Sequence, residues 1–155
     1  MDDKTKDLME KIFINHCMML TEVGGVIPIF FIIINNNQIT PIILSEKMQM
    51  NFEQYTTFSI KAADEMDASA IILISEQFMV KGDQSDEDMK ALVSGKIKPR
   101  DHPNKEEYLS LTYMESHGKA ESLYGKIEKD PTGVRFVREQ SWADGVQTTQ
   151  LMPWR

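Results

Sequence analysis

Apolar and polar positions follow two rhythms along this chain, and the switches between them divide it into elements. In residues 4–22, Leu8, Met9, Ile12, Phe13, Met19 and Leu20 recur at three- and four-residue steps with charges between them, the spacing of one helix face. Gly24 and Gly25 end that pattern. Residues 26–34, "VIPIFFIII", are branched or aromatic almost throughout and read as a strand apolar on both faces. "NNNQ" at 35–38 tolerates the positive φ of a tight turn before "ITPIIL" at 39–44 returns, which predicts a hairpin. Pro28 and Pro41 cannot donate to a ladder, so each belongs at a strand start, a bulge or an unpaired edge.

The helical rhythm resumes over 51–67. Asn51 is placed to cap, Gln54 occupies the capping-box position, and Phe52, Tyr55, Ser59, Ala62 and Met66 form one stripe. A third strand is expected from about residue 68 to 80. The connection over 81–105 is much longer than the usual few residues. Within it, Ser85 as a cap, acids in the first turn, Met89, Leu92 and Val93 on one side and Gly95 at the end predict a short helix at 86–94. The last third reads as a meander of "EYLSLTYME", a turn at Ser116-His117-Gly118, "KAESLYGKIEK", and "VRFVREQ" after Asp130-Pro131-Thr132-Gly133, whose residue types suit a type I turn.

The order α-β-β-α-β-(long loop)-β-β-β predicts an α+β fold: about six strands in a mainly antiparallel sheet, with two main helices expected on one side. Two helices on one side leave the other face of these doubly apolar strands to be covered by the 81–105 connection, by a helix crossing over, or by a second copy of the chain.

Alternation along residues 70–80 also isolates one residue. Positions 70, 72, 74, 76, 78 and 80 share a face, and all are apolar except Glu76. A lone ionised carboxylate there would cost several kcal/mol, so it must be paired with a cation, hydrogen-bonded, protonated, or sited where the strand leaves the core, with a basic side chain or backbone N–H groups as the expected holders. Lys81, Arg100, Arg135 and Arg138 are the candidate cations. Fastening strand to loop is the plainer role. The alternative makes Glu76 the centre of a polar site with "KPRDHPNKEEYL" at 98–109, where Asp101, His102, Glu106 and Glu107 gather metal- or proton-competent groups.

Ser75-Glu76-x-Phe78 followed by Pro99-x-x-x-Pro103-x-Lys105-x-Glu107 resembles a pattern of small, uncharacterised bacterial proteins, in which a strand ends in Ser-Glu-x-aromatic and a Pro-rich segment with a basic residue and Glu leads into a hairpin. The similarity covers roughly residues 68–130; Phe78 stands where the pattern has Trp, Lys105 where it has Arg, and the insert is longer. It implies a shared fold and a shared polar corner, and no reaction.

Composition narrows the function classes. With 155 residues and 41% hydrophobic content, one domain spanning 1–155 is expected. A net charge of −7 repels phosphate backbones. A nucleic-acid role would rest on Lys96, Lys98, Arg100 and Lys105 against their acidic neighbours, and nucleic acid is not an expected partner. The single Cys17 excludes an internal disulfide, and the longest apolar run, nine residues, is about half a membrane span, so a cytoplasmic protein with no membrane contact is expected. His16 falls on the apolar stripe of the first helix and reads as a core histidine; His117 reads as a solvated turn residue. The 11 methionines scatter as core filler. P-loop, Rossmann, HExxH, CxxC and GxSxG patterns are missing, and no cofactor is implied.

The reading that follows is a non-enzymatic module that binds an unidentified protein or small molecule or assembles as a homo-oligomer; the alternative is a small enzyme or metal-dependent hydrolase with Glu76, His102 and Glu107 as its catalytic candidates. The alternating charges and the glycines at 82 and 95 also mark the 81–105 connection as protease-sensitive. Limited trypsin digestion is expected to cut first near Lys96, Lys98 or Arg100; first cleavage elsewhere would mean that this segment is packed down.

Overall fold

A computed structural model describes residues 2–34, 38–43, 50–80, 85–97, 101–116 and 120–144. The expected turn at 35–37, Lys81, Lys98 to Arg100, His117 and the C-terminal Trp154 lie outside the described residues. The elements are α1 (Asp3–Val23), β1 (Ile29–Ile34), β2 (Gln38–Ile43), α2 (Phe52–Glu65), β3 (Ala70–Val80), α3 (Asp86–Ser94), β4 (Lys105–Glu115), β5 (Ala120–Lys129), β6 (Arg135–Val137) and β7 (Ser141–Asp144). The class is α+β, with an antiparallel sheet in the order β2-β1-β3-β4-β5-β6. No helix among the described residues is long and apolar enough to cross a membrane.

Local signals set several boundaries. Asp2 caps α1 by accepting from the Thr5 N–H, and Gly24 closes it at φ +92°. Asn51 and Gln54 form the expected capping box of α2. Ser85 and Gly95 bracket α3. Asp130 accepts from Thr132 and Val134, and the Gly133 N–H returns to the Asp130 carbonyl at 3.0 Å, so the predicted turn forms. β1 starts at Ile29 rather than residue 26, because Pro28 has no N–H and the Val26 N–H bonds elsewhere.

The helices do not share one side of the sheet. Met9, Phe13 and Leu20 of α1 pack with Ile33, Ile72, Ile74, Leu109, Leu111 and Leu123. On the opposite face, Tyr55 and Ala63 of α2 pack with Phe30, Ile32, Ile71, Leu73 and Met114. Strands apolar on both faces thus receive a helix on each, which removes most of the surplus that a one-sided arrangement would leave. The buried stripe of α2 runs through Tyr55, Ser59 and Ala63, while Met66 is exposed. Beyond α2 the same sheet face turns to hydroxyls: Ser75 lies opposite Ser110, and Thr112 opposite Ser122, all four buried.

β7 departs from expectation. "VRFVREQ" does not continue as one strand; β6 ends at Val137, and β7 then pairs with the first half of β5. The break lies opposite Gly125, where an added Cβ would sit 2.3 Å from Val137 Cγ1 and 2.7 Å from the Glu139 carbonyl oxygen. Two segments can share one edge of β5 only because the chain between them crosses over a residue without a side chain. Gly125→Ala is expected to destabilise the fold by about 1–3 kcal/mol through overpacking, read by urea denaturation. An unchanged midpoint would mean that the β6–β7 crossing gives way.

Candidate functional site

β3 outruns its neighbour. Its pairing with β1 stops at Ile74, whereas its pairing with β4 continues to Val80, so Glu76 projects from the α1 face just past the end of β1. The chain entering β1 passes directly over it. Glu76 Oε2 accepts the Val26 N–H at 2.9 Å, and Oε1 lies 2.5 Å from Arg135 Nη2. The same nitrogen lies 2.5 Å from Glu107 Oε2, and Nη1 donates to the Gly24 carbonyl at 2.8 Å. The Thr21 hydroxyl donates to the Arg135 carbonyl at 3.0 Å.

One guanidinium therefore ties β3, β4 and β6 to the C-terminal end of α1, where an unsatisfied carbonyl favours a cation. Burial opposes the charge on Arg135, but hydrogen bonds and attraction from Glu76 and Glu107 outweigh it, and the guanidinium is held above its ordinary range. Beside the clamp lies a cleft of about 430 Å³, lined by Glu76, Gln77, Phe78, Glu107, Lys129 and Arg135.

The three catalytic candidates separate into two places. Glu76 and Glu107 meet at Arg135. His102 is buried elsewhere: its Nδ1 accepts the Asn104 N–H at 3.0 Å, and its Nε2 lies 3.8 Å from Asp88 Oδ2 in the first turn of α3. That arrangement holds α3 against the turn before β4. Glu106 accepts from Tyr108 and faces Lys126 at 3.4 Å; Asp101 is exposed. No group of three His, Cys, Asp or Glu among the described residues is arranged to hold a metal ion.

Of the candidate cations, Arg135 is the one that reaches Glu76. Arg138 pairs with Glu128 at 3.2 Å, and Lys81 and Arg100 lie outside the described residues. His16 is buried, its Nδ1 2.8 Å from the Ile12 carbonyl and its ring edge-on to Phe31. Burial pushes the Cys17 thiol up to about 11, away from nucleophile chemistry. Backbone N–H donors were expected at Glu76, but not which ones: the Val26 N–H, like the Gly24 carbonyl that Arg135 reaches, carries no residue-type signal.

The clamp makes the stability order predictable. Arg135→Met removes the cation and leaves two neighbouring carboxylates, at an expected cost of about 2–4 kcal/mol. Glu76→Ala is expected to cost less, about 1–3 kcal/mol, because Glu107 still neutralises Arg135. Glu107→Gln, at the more exposed edge, should cost about 1 kcal/mol or less. Urea denaturation of the three variants at pH 7 tests the order; a Glu76→Ala protein as stable as wild type would remove the fastening role. No protein-family model, no curated protein and no solved structure matches the chain.

Proposed function

We propose that this protein is a non-enzymatic binding module that assembles with itself through the β1–β2 corner. One observation carries the reading: an apolar strip on the α1 face that the helix does not reach. The axis of α1 lies over β4, β5 and β6. On the far side of that face, Ile39, Pro41 and Ile43 of β2 stand opposite Ile33, Phe31 and Ile29. Ile43 is 57% exposed and Ile39 37%. At the same end as Ile43, Ile27 and Val23 are 61% and 77% exposed. β2 has no charged residue, although charge is a usual guard of an edge strand.

Pro41 shapes how that corner associates. The Phe30 N–H donates to the Tyr55 hydroxyl at 3.0 Å, and that hydroxyl donates to the Ile42 carbonyl, so Tyr55 is inserted into the ladder between Phe30 and Ile42. Since Ile42 faces the ladder, alternation turns the nitrogen of Pro41 to the open edge. The central donor of that edge is missing, which weakens strand-to-strand pairing and favours association through the apolar face. A reducing, cytoplasmic setting is in keeping with the single cysteine. The hydrolase alternative would require His102 beside Glu76 and Glu107, and it has no supporting contact.

Light scattering coupled to size exclusion at tens of micromolar is expected to give a dimer or larger species. Ile43→Glu should shift it to monomer with little change in melting temperature, because Ile43 is already largely exposed. A wild-type monomer would overturn the self-assembly reading.

A further inference from the structure

The first turns of α1, from its cap at Asp2 to Lys11, and the ends of β1, β2 and β4 line a cavity of about 610 Å³. That volume falls within the range of small-molecule sites. Its floor is apolar and aromatic, made by Leu8, Ile33, Ile39 and the nearly buried Tyr113. Among the charges that line it, the acids Asp2, Asp7 and Glu115 outnumber the cations Lys4 and Lys11. Lys11 and Asp7 on the rim pair with each other at 2.9 Å and are well exposed. Asp2 is occupied in capping α1 through the Thr5 N–H.

Glu115 is different. Its Oε1 accepts the Tyr113 hydroxyl at 3.3 Å, and it has no ammonium or guanidinium partner among the described residues. Burial first, and then Glu115, Asp2 and Glu121, hold the Tyr113 hydroxyl above its ordinary pKa, so its proton stays on and it remains a donor to Glu115. A carboxylate anchored by a protonated tyrosine at the side of an apolar floor presents an anionic oxygen pair beside an aromatic side chain. The complement is a positive charge carried on an apolar body.

We infer that this cavity is a binding site for a small organic cation, an ammonium group on an aromatic or aliphatic body, with Glu115 as the counter-ion and Tyr113, Leu8, Ile33 and Ile39 as the apolar seat. This goes beyond self-assembly, with which it shares only the β1–β2 residues at the cavity edge.

Phenethylammonium is the probe, with 2-phenylethanol and 3-phenylpropionate as neutral and anionic counterparts, each titrated into the full chain and followed by amide chemical shifts. Phenethylammonium should bind and shift residues around Leu8, Ile39 and Tyr113, and should bind at least about tenfold more tightly than the alcohol, as a charge-assisted contact requires. The carboxylate should not bind. Glu115→Gln, close in shape, should erase the preference for the amine over the alcohol, and Leu8→Trp should fill the cavity and abolish both. Repeating the titration with Ile43→Glu separates this site from assembly, since binding should persist in that variant. Equal binding of amine and alcohol to wild type, an unchanged preference in Glu115→Gln, or no amine binding up to millimolar concentration would each overturn the inference.

Discussion

A sheet whose inner strands are apolar on both faces cannot leave either face to water, and that constraint organises this fold. β1 and the first half of β3 carry branched or aromatic side chains in both directions. Each face then needs its own cover, and the chain has two long helices to supply it, separated by the β1–β2 hairpin. Placing α1 on one side and α2 on the other buries both sets of side chains with the available lengths. Neither helix is broad enough to cover a whole face. What remains on the α1 side is the strip at β2; what remains on the α2 side is replaced by buried hydroxyls.

The same constraint explains the Arg135 clamp. Where β3 runs beyond β1, the sheet loses a strand on one edge while the α1 face is still covered by the end of the helix. A charged side chain at Glu76 is tolerable there because it is only part-buried and because donors converge on it: a backbone N–H from the chain descending into β1 and a guanidinium from β6. Arg135 in turn closes the end of α1 through the Gly24 carbonyl. The interaction links segments far apart in sequence, so it acts on how the layers register rather than on any one element.

That distinction sets what could be read from the sequence. The helix caps at Asn51 and Ser85 and the turn at Asp130 are local chemistry, complete within a few residues, and the structure reproduces them. Arg135 was among four possible cations for Glu76 because the charge requirement was visible; choosing it required knowing that β6 lies beside β5 and under α1. The side taken by each helix was not legible, since a stripe such as Tyr55, Ser59 and Ala63 says that a helix packs but not on which face. The grouping of His102 with Glu107 rested on five residues of sequence distance. In the structure the turn at 101–104 directs His102 to Asp88 of α3, while Glu107 meets Arg135.

The edge at β2 carries one residue that would limit association through its backbone. An uncharged strand of Ile, Thr and Pro at the rim of a sheet would ordinarily template the addition of further strands. Pro41 removes the donor at the centre of the open edge, and Tyr55 bridges Phe30 and Ile42 on the inner side through its hydroxyl. The missing Pro41 N–H penalises backbone pairing at the open edge, the kind that propagates into fibres, and it does not touch the side chains of Ile39 and Ile43. Under the self-assembly proposed above, such an edge would favour a closed assembly, because the interaction it retains is consumed by a single contact whereas the one it lacks is the kind that repeats.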